Sequence, residues 1–254
     1  MRKLSAIILM VAVCAVSVFA AGYSSAVPLE VYGGLGMEMA SVSGMQDVRI
    51  SDVKYYGLRE GSLLLPLAES NGTSVPITLT IGVEGAMAPN FGVIAEICYG
   101  FIDGSSYAAN LDVGGKYYFA NRNFHFGAGV KAGVYYMDKS LGEAKILAGT
   151  TPPVILPEGT IYNGDKLTYT VYGMSITPMV DIGFPVSRDL TVGCNVGYQL
   201  GFSFGSEFKA GDVTVDPENS EDIYEASLIF KEIDLNPSVS LNGVKASFYV
   251  SYKL

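Results

Sequence analysis

Few residues in this 254-residue sequence are equipped for chemistry, and their spacing limits what they can do. There is one histidine, His125, so a catalytic imidazole pair is excluded. Ten charged side chains stand alone inside otherwise uncharged stretches: Glu30, Glu38, Glu84, Glu96, Asp112 and Asp181 with Lys116, Lys131, Lys245 and Lys253. Isolated acids and bases in such surroundings are expected to pair with one another across a polar interior, because an unpaired charge there is costly. A proton or solute relay through the same residues is the alternative. No metal-ligand spacing stands out, no cofactor is implied, and no nucleophile cluster accompanies His125, so no catalytic residue is expected. Gly127-Ala-Gly129-Val-Lys-Ala132 spells a dinucleotide fingerprint by letter, yet apolar alternation runs straight through it and leaves no helix to hold a phosphate.

Two further segments bear on binding. The stretch from 205 to 243 carries nine acids (Glu207, Asp212, Asp216, Glu218, Glu221, Asp222, Glu225, Glu232, Asp234) against Lys209 and Lys231, without the spacing of a calcium loop, and reads as a solvated acidic surface. Leu63-Leu64-Leu65-Pro66-Leu67 and the run containing Val154, Ile155 and Leu156 are apolar segments outside the strands. Either they pack on each other as a rim, or they form an apolar mouth that admits small hydrophobic molecules.

What must position these residues is a set of strands. Apolar residues recur at every second position over eight runs: 29–39, 75–87, 91–101, 107–119, 124–136, 170–184, 190–204 and 244–254. No charge occupies the apolar side of any run, while the other side holds all ten residues named first. The polar side is otherwise Gly, Thr, Ser, Asn and Tyr, which suits a narrow interior better than a wetted exterior. Hydrocarbon therefore matches the apolar side, and the expected fold is all-β: a transmembrane antiparallel up-and-down barrel of about eight strands, or ten if the loops contribute a pair. Four connections on one side (40–74, 102–106, 137–169, 205–243), all but 102–106 long, alternate with three tight ones (88–90, 120–123, 185–189), as external loops alternate with periplasmic turns. Phe91, Phe119, Phe124 and Phe184 border the tight turns. Tyr107, Tyr136, Tyr172, Phe202 and Phe204 border the other rim, so the two sets read as aromatic girdles. Pro178 is expected to force a bulge, and a second bulge at Asn242-Gly243 is expected to bring Val239 and Leu241 into line with the last run. Cys98 and Cys194 should face opposite sides of the wall and stay unpaired.

Ahead of the strands, Met1-Arg2-Lys3, the apolar stretch to Val18 and the small residues Val18-Phe19-Ala20 read as a cleaved signal peptide, 1–20, with 21–254 as the barrel domain. A net charge of −9 argues against nucleic acid as a partner.

The closing run, with Phe248, Val250, Tyr252 and Leu254 on one face, resembles the C-terminal strand by which bacterial outer-membrane proteins are recognised by their assembly machinery; it ends in Leu254 where an aromatic is usual. Eight spans resemble the small OmpA-transmembrane, OmpX and OmpW-like barrels, and Asp234-Leu-Asn-Pro237 is faintly similar to OmpW tails. The resemblance implies a monomeric protein of the bacterial outer membrane in contact with its lipid. It also implies passage or capture of small hydrophobic solutes at the cell surface. Two rivals remain: a surface adhesin acting through the long loops, and a structural envelope protein with a plugged lumen.

Overall fold

In a computed structural model of the chain, the described residues are 29–44, 47–51, 62–103, 106–120, 124–147, 154–156, 159–211, 213–215 and 238–254. The expected signal peptide 1–20, Asp234-Leu-Asn-Pro237 and most acids of the 205–243 loop lie outside them.

Eight long strands form one antiparallel sheet: β1 (Leu29–Glu38), β2 (Ile77–Ala88), β3 (Phe91–Asp103), β4 (Ser106–Ala120), β5 (His125–Glu143), β6 (Lys166–Pro185), β7 (Leu190–Ala210) and β8 (Gly243–Lys253). Each pairs with the next in sequence except that β1 pairs with both β2 and β8, which closes the ring. The last residue joins the first strand, Leu254 N–H donating to the Leu29 carbonyl at 2.8 Å. Followed once around, the register climbs ten residues on β1, so the strands are strongly tilted and the interior is only wide enough for side chains. No helix among the described residues is long and apolar enough to cross a membrane; the crossing elements are strands.

The alternation divides the wall as the sequence requires. Leu35, Ile77, Ile81, Ile97, Val130, Ile176, Val196, Phe248 and Val250 are all exposed on the outer face. Thr78, Thr80, Glu96, Asp112, Lys131, Thr177, Asp181 and Lys245 are all buried inside it. A water-soluble barrel would show the reverse exposure of charge and hydrocarbon. Rings stack along both edges of the apolar band, Phe124 on Phe184 at 6.3 Å near the tight turns, and Tyr99, Tyr107 and Tyr136 in series at 5.7 and 5.9 Å near the other rim. Cys98 is buried inside, Cys194 lies half-buried on the other face, and neither is bridged.

Two local expectations are corrected. Pro178 makes no bulge: its neighbours Ile176↔Leu200 and Met179↔Gly197 keep one register, and the β6–β7 ladder merely lapses between them, since proline has no N–H to donate. The register shifts lie instead at Tyr172/Gly173 toward β7 and Leu167/Thr168 toward β5. Leu241 does not align with the outward residues of β8; it is wholly buried, while Ser238–Ser240 leaves the main sheet to pair with Ala40–Ser43. Gly243, at a φ of 144° that disfavours any side chain, makes that departure.

Among the described residues, the long connections contribute short strands of their own, as the rim reading allowed. β5, β6 and β7 run past the aromatic rim, and Ser62–Leu65 pairs with both Val48–Ser51 and Lys145–Leu147. Leu65, Leu67, Leu141, Ala144, Ile161, Leu167, Phe208 and Ala210 are buried together above the barrel. The external end therefore carries a cap with an apolar core of its own.

Candidate functional site: the lumen

Tight packing sets where each inward group can go. Aromatic rings lie across glycines of neighbouring strands: Tyr32 over Gly82, Tyr249 over Gly193, and Tyr135 over Gly173. A Cβ on any of these glycines would collide with the ring. The letter-match glycines serve the same end, Gly127 facing the Tyr118 ring and Gly129 the stem of Lys116. Gly82→Val is expected to push Tyr32 off its hydrogen bond to Glu96 Oε2 (2.8 Å) and to destabilise the barrel by about 1–3 kcal/mol, as overpacking does. Urea unfolding followed by tryptic protection checks this. A midpoint equal to that of the native chain would show that the ring has another place to go.

The lumen holds two ionic layers. In the layer nearer the tight turns, Lys116 Nζ lies 2.6 Å from Glu84 and 3.4 Å from Asp181. Asp181 also receives the Tyr249 hydroxyl at 2.9 Å and meets His125 Nε2 at 3.2 Å. Tyr118 donates to Glu84, and its ring stands edge-on to the imidazole at 5.3 Å. The layer above joins Lys131 to Glu96 at 2.5 Å and Lys245 to Asp112 at 3.1 Å, with Glu38 and Glu96 within 3.9 Å of Lys245. Asn110 Nδ2 donates to Glu38 at 3.0 Å and Ser175 Oγ to Asp112 at 3.3 Å.

Of the ten charges singled out in the sequence, eight thus pair within these two layers, seven of them buried and Glu84 half-buried. Glu30 sits at their edge, accepting from Ser251 Oγ at 3.2 Å, and Lys253 is exposed at the rim, outside both layers. What spacing alone did not reveal is the supporting set, Tyr32, Asn110, Tyr118, Ser175 and Tyr249. Their inward parity was legible, but their partners lie on strands two or more away around the ring. The open space lined by Glu84, Lys116, His125, Asp181 and Tyr249 has a volume of about 20 Å³, room for about one water. An axial pore is thus blocked by ion pairs that could part only at the cost of stranding buried charge.

Above the second layer the interior turns apolar: Ala108, Tyr135, Met137, Val171 and Leu241 are buried there, beneath the cap. Leu65 and Leu67 of the proposed mouth point into that cap rather than out of it, and Leu64 is half-buried. The backbones of Leu63 and of Val154, Ile155 and Leu156 belong to the rim strands, the latter pairing with Gly159–Ile161. Leu65 and Leu67 therefore line no exposed apolar mouth: burial in the cap removes their side chains from water.

The ladder beside this apolar region is incomplete. The β7–β8 pairing ends at Gln199↔Gly243, and Ser238–Ser240 pairs away from β7. Past that point Gly201 N–H donates to Asn242 Oδ1 at 2.6 Å and the Leu241 backbone packs on Gly201, so the wall keeps contact without strand pairing.

An uncharged, exposed apolar band between two aromatic rims, closed on itself with its charges inside, requires lipid around it. The chain has the fold of a small outer-membrane β-barrel. No family model and no curated protein matches the chain. Among solved structures the barrel is similar to a major outer membrane protein of Thermus thermophilus (11% identity, TM-score 0.47, covering 91% of this chain and 100% of that one). It is also similar to OprG of Pseudomonas aeruginosa (12%, 0.42, 90% and 96%) and to Neisserial surface protein A (8%, 0.41, 89% and 97%).

Proposed function

We propose that this barrel, seated in the bacterial outer membrane after cleavage of residues 1–20, captures small apolar solutes at its external end and releases them sideways into lipid. The observation that carries the reading is the division of the lumen: apolar beneath the cap, ionic below. An uncharged solute under the cap gains nothing by entering the ionic layers, where it would separate paired charges. The seam between β7 and the Ser238–Asn242 segment is a gap in the ladder but not in the packing, and its parting would open a route to the hydrocarbon outside, past Leu200 and Phe202, both exposed. Entry requires the cap to part, and Leu65, Leu67 and Leu241 are then the surfaces a solute meets.

Closing the gap tests this. With Gly201→Cys and Asn242→Cys joined by a short thiol-specific cross-linker, uptake of an apolar fluorescent dye into proteoliposomes is expected to fall several-fold and to recover when the link is cleaved. Uptake that ignores the link removes the lateral route. The ionic plug by itself favours a second reading, a structural envelope protein with a sealed lumen, and uptake no faster than in protein-free liposomes would select it. Binding of cells that survives in the plugged protein and disappears with the loops would select an adhesin.

A further inference from the structure

Between the upper ionic layer and the apolar cap lie polar atoms that the contacts described above leave unmet. Asn110, Tyr135, Thr177 and Gln199 are 3%, 2%, 1% and 2% exposed. Asn110 Oδ1, the Tyr135 hydroxyl, Thr177 Oγ1 and both amide atoms of Gln199 have no hydrogen-bond partner among the described residues. Buried polar atoms in a packed interior are rarely left so, and each costs free energy unless something meets it.

Their positions are not scattered. Asn110 faces Tyr135 across the β4–β5 ladder, and Thr177 and Gln199 occupy the place where the β6–β7 ladder lapses. The Tyr135 ring reaches across β6 over Gly173 to within contact of Gly201, two residues from Gln199 on the same face. Sharing the ten-residue stagger over eight strands brings Asn110, Tyr135, Gln199 and Glu38 to one height in the lumen, with Thr177 just below. Four of the five unpartnered atoms are oxygens.

The charge at this height is also unbalanced. Glu38, Glu96 and Asp112 face Lys131 and Lys245, so the layer has three carboxylates and two ammonium groups, every one of them buried. Lys245 lies closer to Asp112 (3.1 Å) than to Glu38 (3.8 Å), which leaves Glu38 the least compensated of the three.

We propose that this polar level is a binding site for one hard monovalent cation, of the size of sodium or potassium, held by Asn110 Oδ1, Thr177 Oγ1, Gln199 Oε1 and the Tyr135 hydroxyl oxygen beside the Glu38 carboxylate. Oxygen ligands select hard cations. One carboxylate in excess selects a single positive charge, and the neutral amide, hydroxyl and phenol oxygens leave a divalent ion under-compensated. The Gln199 Nε2 donor is left to a water in the ion's shell. Bound there, the ion ties β1, β4, β5, β6 and β7 together at the level where the β6–β7 ladder lapses.

The test uses the whole barrel, refolded into detergent micelles in sodium, potassium or choline chloride at one ionic strength, and reads the midpoint of thermal unfolding by gel migration. Sodium or potassium is expected to raise the midpoint by several degrees over choline, since a ligand bound only by the folded state stabilises it. Glu38→Gln is expected to abolish the difference. Thr177→Val, a milder change, is expected to shrink it. Crystals grown with thallium(I) are expected to show an anomalous peak among the four oxygens. Equal midpoints in all three salts, or no such peak, would overturn the proposal. So would a midpoint that follows pH but not the cation, because a proton on Glu38 would then be what balances Asp112, Glu96, Lys131 and Lys245.

Discussion

Lys245→Met is expected to cost about 3–5 kcal/mol of barrel stability, the largest loss of any single change to the lumen. Lys245 Nζ lies within 4 Å of three carboxylates, Asp112, Glu38 and Glu96, and all four groups are buried. Methionine fills most of the volume but leaves those carboxylates with Lys131 as the one remaining ammonium of their layer. Partners on opposite sides of the ring are lost at once: Glu38 is the cross-strand neighbour of Lys245 on β1, whereas Asp112 belongs to β4. Urea-unfolding midpoints in lipid vesicles would measure the loss. Adding Asp112→Asn to Lys245→Met should recover part of it, because a neutral amide in place of the stranded carboxylate still receives the Ser175 hydroxyl at this site. A loss below about 1 kcal/mol in the single variant would mean that the lumen admits enough water to solvate the freed charges, and the plug would then be no barrier.

The second large effect lies on the outer face. Ile97 stands midway between Phe91 and Phe101 on β3 and is 48% exposed, so it meets the centre of the apolar band. Ile97→Lys is expected to cost about 2–4 kcal/mol in a bilayer, the penalty of a cation at mid-depth. Val186→Lys, in a tight turn beyond the girdle, is expected to cost under about 1 kcal/mol. The same pair compared in vesicles isolates lipid as the cause, since position 97 has space for a longer side chain and only its surroundings forbid the charge. Equal costs at the two positions would mean that water, not hydrocarbon, lies against β3.

Much of this fold is written in local pattern. The runs at 91–101, 107–119 and 190–204 reappear as strands that begin at or within a residue of the expected positions, because alternation of side chains is a property of each strand by itself. The inward placement of Glu96, Asp112, Lys116 and Lys131 follows from the same parity. The cap was not legible. Its strands are three or four residues long, such as Ser62–Leu65 and Lys145–Leu147, too short to carry a period, and their pairing spans about eighty residues of chain. Pro178 misled for a related reason: proline's missing N–H announces a fault in a ladder but not whether the partner strand shifts to meet it.

The amino-acid sequence by itself determined the alternating strands, about eight in number, the two faces of the wall, the side that meets lipid and which charges face inward, since each depends only on residues one or two apart. Tertiary structure decided which acid meets which base and which tyrosine lies over which glycine. It also decided that Leu65 and Leu67 turn inward, and that five polar atoms gather near one level of the lumen without a partner among the described residues. These depend on a ten-residue stagger accumulated around a closed ring, a quantity set by all eight ladders together and carried by no single strand.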